Sequence, residues 1–408
     1  MGPCAERAAG GQKPHGCQQM SEQEVAPRVW KGHPLWLVGF RPFFPLACLH
    51  AVVTPLLWVL MLSGVVHGPA GLAAMQWHAH EMFYGFGLAV VGGFLLTATK
   101  NWVGVRGHHG RTLQLLVGLW GLERVTVWAG GAWPSWARWA GLNLYAAALV
   151  ALVLWTLLRG RKTDSYRDNV LFVVALPVVL VARALLLSQE HFAAGVTLTL
   201  AIFRLVFLVM LERTVPPFMK GGVQVTVPRV WWLDTAIKGL GLVLLSAPWL
   251  PAMVRSGVDV VLAVLVVARF ATWSPHRAFQ RLEVGVMFVG GLALAAQLVL
   301  DAVPGAWVGS LPLHVFTFGT MGLIIPAMFF RIANGHTGRP VRFGPLERAV
   351  VWLMGLGFVA RVIAPQVVPT AYRELLWLSA GCWMVGFAVV GVRITPMLFA
   401  ERVDGKEH

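Results

Sequence analysis

Charge is what this sequence has least of. Only 12% of its 408 residues are Asp, Glu, Lys or Arg, and the acidic side chains number 18 against 33 basic ones. Charge this sparse excludes a soluble globular chain, in which about one residue in four is charged. Cysteine is equally scarce: Cys4 and Cys17 stand near the start and Cys48 and Cys382 in apolar runs, with no CxxC or CxxCH spacing. A disulfide framework and covalently attached c-type haem are thereby excluded. There is no phosphate-binding loop, dinucleotide glycine fingerprint, GxSxG or HExxH, which removes the chemistries those motifs carry. The first 30 residues hold no apolar stretch of a cleavable signal peptide, and Glu6 stands where myristoylation needs Ser or Thr. The first apolar segment is therefore the expected targeting signal.

What is abundant is apolar surface, at 57% of the residues. Twelve apolar segments, from about 43–63 to about 374–396, approach the roughly 20 residues a helix needs to cross the hydrocarbon core. They predict an all-α polytopic integral membrane protein of about twelve transmembrane helices. A flexible polar leader is expected over 1–34, one transmembrane helical domain over 35–398 and a short polar tail over 399–408. Placing the N-terminus in the cytoplasm puts 24 of the 33 Lys and Arg on that side, with only Arg138, Arg255 and Arg373 in outer loops. The C-terminus is then cytoplasmic too. Arg124, Arg183, Arg204, Lys238, Arg269 and Arg361 fall inside the expected spans. The net charge of +15 reads as topology and contact with membrane lipid, and calls for no nucleic acid.

Residues 77–102, WHAHEMFYGFGLAVVGGFLLTATKNW, are a span that opens with two histidines and a glutamate. On a regular helix His78, Met82, Gly85, Ala89 and Gly92 share a face, while His80 points about 200° away from His78. Either the two histidines serve different partners or an irregular first turn brings them together. A lone interfacial histidine commonly does no more than hydrogen-bond backbone. His78, His80, Glu81, Met82 and Tyr84 so close together point instead to ligation, since imidazole suits iron, copper and zinc. A second stretch, residues 311–340, places His314, Phe318, Met321 and Ile325 on one face and Pro326 at a kink. Both spans run the same way, so His78, His80, Glu81 and His314 lie at one depth, with His336 at the opposite end. His50, inside the first span, is either neutral and hydrogen-bonded or a metal ligand. Glu123 and Arg124 are neighbours that diverge by about 100° on a helix, so their best partners lie elsewhere. Arg41 is expected to snorkel to lipid phosphate, Pro216 and Pro217 to end helix 6, and His108 and His109 to be solvated.

WHAHEMFYGF followed by GGFLLTATKNW, together with LHVFTFGTMG, RIANGHTGRP and GFRPFF, resembles the NnrS family over most of the chain after the leader. That resemblance implies a twelve-helix bacterial inner-membrane protein that binds haem and copper. It also implies a role in the nitric oxide response to nitrosative stress, in or beside denitrification. Nitric oxide or a related small ligand, and respiratory or denitrification proteins, are the partners implied. The family's histidines carry over onto His78, His80 and His314. On this reading Glu81 orients a ligand histidine or carries protons, and Tyr84 donates a hydrogen bond or proton to the bound ligand. Met82 and the small residue Gly85 lie against the cofactor, unless the stripe of Gly85, Ala89 and Gly92 serves simple helix packing. Two rivals compete with this reading: a twelve-helix transporter using buried His, Glu and Arg, and a structural partner of a respiratory reductase. No internal repeat relates the two halves as a carrier would require, and the histidines sit near one surface, away from the midplane.

Overall fold

The computed structural model describes residues 30–303 and 305–407. The leader expected over 1–34 lies mostly outside the described residues. The described chain is helical and contains no strand. Its long helices are α1 (Phe40–Leu62), α2 (Ala74–Val103), α3 (Arg111–Ala129), α4 (Ser135–Arg159), α5 (Arg167–Leu187) and α6 (Phe192–Val223). They continue with α7 (Trp231–Val243), α8 (Ala252–Thr272), α9 (Leu282–Ala302), α10 (Leu311–His336), α11 (Pro345–Val367) and α12 (Pro369–Phe399). Nine of these are long and apolar enough to cross a membrane; α3 and α8 are diluted by polar and charged residues, and α7 is short.

The interior is largely apolar, and the exterior is apolar too, unlike that of a soluble protein. Leu49, Trp155, Val264 and Val392 are exposed on the outside, while Glu123, Asp259 and Arg183 are buried inside. An apolar exterior around paired charges is what a lipid solvent selects, because backbone and charge must be satisfied internally there. The chain is thus a multi-pass membrane-type helical bundle. Its centre is α2, α6 and α10, whose apolar stretches are 78% buried against 44% for α1, α4, α5 and α12. Every fourth helix is therefore central. A wholly apolar cavity lies between them, lined by Val90 and Val91 of α2, Val206 and Met210 of α6, and Ile325 and Met328 of α10.

Two of the central helices are built alike. In α2 an α-helical start ends at His80 and a π-helical stretch, Glu81–Gly87, follows before α-geometry resumes. In α10 the same order appears: α-helix to His314, π-helix over Val315–Met321, then α-helix. Both carry His-x-x-x-aromatic-Gly at the join, His80 to Tyr84-Gly85 and His314 to Phe318-Gly319. The wider π-turn rotates everything beyond it, so the faces drawn with a 3.6-residue period do not hold across Glu81–Gly87 or Val315–Met321.

Three other expectations are corrected. Helix α6 continues through Pro216 and Pro217 to Val223, because a proline φ is itself helical and Val215 and Met219 on either side are buried in the core. Arg41 does not snorkel: it is 1% exposed and its Nη1 donates to the carbonyls of Leu398 and Ala400 at 2.8 Å, closing the end of α12. His108 is not simply solvated, since its Nε2 lies 3.2 Å from the Leu152 carbonyl and 3.0 Å from Thr156 Oγ1. Burial pushes its pKa below the usual histidine value.

Candidate functional site

Two side-chain clusters lie at the end of the bundle where α2 and α10 begin. The first is closed and buried. Glu81, 2% exposed, sits at the α-to-π join of α2, where its Oε1 lies 2.8 Å from His80 Nδ1 and its Oε2 lies 3.0 Å from His50 Nε2. His80 is itself between two carboxylates, because its Nε2 lies 3.4 Å from Glu123 Oε1. Glu123 accepts from Arg183 Nε at 2.9 Å and Nη2 at 2.5 Å, and Arg183 Nη1 reaches Asn143 Oδ1 at 3.0 Å. Arg124 stands 2.9 Å from Glu123 Oε2 and 3.5 Å from Glu81 Oε2, yet among the described residues none of its nitrogens is aligned for a hydrogen bond. The divergence expected of the Glu123-Arg124 neighbours is the reason. Tyr84 stacks on His80 with 5.6 Å between ring centres, and its hydroxyl lies 2.7 Å from Thr199 Oγ1.

This cluster draws a side chain from each of α1 to α6, and its two carboxylates balance its two guanidiniums. Gly85 is part of its construction. Its carbonyl accepts from Trp120 Nε1 at 3.0 Å, and a Cβ there would collide with His50 Nε2 and Arg124 Nη1. Gly85 thus serves close side-chain packing within the network. Met82 is half-buried against the main core.

The second cluster is less enclosed and joins the chain's two ends. The His78 ring stacks on Trp58 of α1 with 4.3 Å between centres, and its buried Nδ1 has no hydrogen-bond partner among the described residues. In α10, His314 Nδ1 donates to the Ser310 carbonyl at 2.9 Å, which leaves Nε2 as the nitrogen carrying the lone pair. Arg361, in the π-helical stretch Val359–Ile363 of α11, places Nη2 3.3 Å from that nitrogen and donates through Nη1 to Tyr372 Oη at 2.9 Å. Arg361 and His314 are thus in direct contact, and His78 lies near the start of α2 at the same end of the bundle.

The residues singled out in the sequence therefore divide. His50, His80, Glu81, Tyr84 and Gly85 belong to the closed cluster, while His78 and His314 share the open one. Of the two alternatives for the paired histidines, the structure shows different partners. His78, His80 and His314 do not converge as one ligand set: among the described residues, no three His, Cys, Asp or Glu side chains are grouped to hold a metal ion. Arg361, Arg183 and Glu123 carried a signal as charges inside spans, whereas Trp58 and Tyr372 carried none.

The model of a protein family described as NnrS protein matches residues 34–402, a range that includes both clusters. No curated protein matches the chain.

Proposed function

We propose, from the premise that the chain belongs to the NnrS family, that it serves the nitric oxide response as a haem-binding protein of a bacterial inner membrane. On this reading it has twelve spans, both ends face the cytoplasm, and the two clusters lie in the outer half of the bundle. Respiratory or denitrification proteins are its expected partners.

The observation that carries the cofactor assignment is that His78 and His314, on two central helices, lie at the same end of the bundle with their rings held by other side chains or backbone. A metal-ligating histidine usually fixes its ring by donating one N–H to a carbonyl and offers the other nitrogen. His314 is fixed in this way through Ser310, with the nitrogen it would offer facing Arg361 Nη2 at 3.3 Å, and His78 is held by Trp58 with a buried ring nitrogen that has no hydrogen-bond partner among the described residues. These two imidazoles fit the group. His80 fits less well, because both of its nitrogens face carboxylates. A bound haem would supply an iron centre to which a diatomic ligand such as nitric oxide can bind. The chain's own part is to orient the two rings, and to keep a charge-balanced wall of Glu81, Glu123, Arg124 and Arg183 beside them. Copper also accepts imidazole, so metal analysis decides which metal this pair holds.

The test is an absorption spectrum of detergent-purified protein, oxidised and dithionite-reduced, with metal analysis and nitric oxide addition on the same sample. A Soret band that shifts on reduction and again with nitric oxide is the expected result. A folded preparation made with ample haem that shows neither band nor bound metal would overturn the assignment and favour the transporter.

A further inference from the structure

Six cationic side chains fall inside the expected spans, and five of them are paired. Arg124 and Arg183 face Glu81 and Glu123. Arg204 is bound to Asp301 and lies near Asp259, Lys238 reaches Asp168 and Glu212, and Arg269 reaches Asp234. Arg361 is the exception: its polar partners are Tyr372 and His314, and among the described residues no acidic side chain pairs with it. An unpaired charge on a membrane-spanning helix is costly and is retained either to cap a helix end, as Arg41 does, or to meet a counter-ion, and half-buried Arg361 caps no helix end.

The surroundings of Arg361 are constructed. A π-helical turn, Val359–Ile363, carries it, and a second one, Val315–Met321, begins directly after its neighbour His314. Such turns re-aim side chains and recur at functional sites. The loop before α10 is pinned over the cluster, with Gln366 accepting from the Val308 amide and donating to its carbonyl, both at 3.0 Å. Gly309 adopts φ +67° there, and a Cβ at that position would lie 2.8 Å from Tyr372 Oη. Two of the five guanidinium N–H groups are used by Tyr372 and His314, so three remain. His78, at the same end of the bundle, has a buried Nδ1 with no hydrogen-bond partner among the described residues.

We propose that Arg361, framed by Tyr372, His314 and His78, is a recognition site for a monovalent oxyanion, a planar carboxylate or nitrite matching the guanidinium fork best. The charge and donor inventory carry this inference; its site shares His78 and His314 with the proposed cofactor pair, and anion binding is read separately from cofactor content. Phosphate of a lipid headgroup shares the chemistry, so the experiment must separate a free anion from a lipid.

The experiment is equilibrium dialysis of radiolabelled formate against delipidated wild-type protein in non-ionic detergent, with unlabelled nitrite as competitor. One saturable site per chain is expected. Arg361→Gln should weaken it by at least about tenfold, the loss of a charge-assisted fork. Arg361→Lys, which keeps the charge without the planar fork, should fall between. Arg373→Gln, an equal charge change on a neighbouring exposed arginine, should leave binding unaltered. Displacement of formate by added anionic phospholipid would identify the occupant as lipid phosphate, and resistance to it a free oxyanion. No saturable binding by the wild type, or unchanged affinity in an Arg361→Gln variant that melts like wild type, would overturn the proposal.

Discussion

Glu81 holds two histidines at once, and its removal should show what the closed cluster is for. In Glu81→Gln the carboxylate bridging His50 and His80 becomes an amide and leaves Arg124 with one acidic neighbour in place of two. Breaking a buried ionic network by removing one partner costs about 3–5 kcal/mol. The expected outcome is a markedly lower melting temperature in detergent, with the cofactor content of the surviving folded protein close to wild type. Equal stability would mean that the cluster is not the lock joining α1 to α6. At this scale the sequence was informative about which residues matter and silent about their partners. A glutamate after two histidines inside an apolar run is visible by eye. That it faces His50 and Arg124, while His78 turns to Trp58, depends on helix rotation, which residue spacing alone does not fix.

Helix rotation is where the elements depart from periodic reading. The helices themselves were legible, because an apolar run in lipid has no other way to satisfy its backbone. The π-helical stretches in α2, α10 and α11 were not, since each widens a turn without changing composition. The pairing of Gly85 with Gly319, five residues after His80 and His314, was a sequence trace of them, recognisable once both helices were seen. Proline misled in the other direction. Pro216 and Pro217 read as a stop, yet α6 carries on for a further turn and more to Val223. Replacing Pro216 with Ala restores one backbone donor inside a continuous helix, so the variant should melt at or above the wild-type temperature. A drop equivalent to more than about 1 kcal/mol would show that the chain needs a break there.

For the whole molecule, sequence and structure agree on a helical membrane-type bundle, and the family match covers nearly all of the described chain. Which helices are central was hidden, because hydropathy does not sort them: α2 and α10 are among the less apolar spans and α6 among the more apolar, yet all three are equally buried. Their arrangement brings His78, early in the chain, to the same end of the bundle as His314, late in it, and draws the first six helices into one polar network. Two roles follow for histidines only two residues apart: His78 with His314 for the cofactor, His80 with Glu81 and Glu123 for the scaffold. The most direct test is the haem and copper content per folded molecule of purified His78→Ala, His314→Ala and His80→Ala proteins. The account predicts that the first two lose the cofactor while remaining folded, and that His80→Ala melts earlier but keeps it. Loss of cofactor in His80→Ala with full retention in the other two would contradict it.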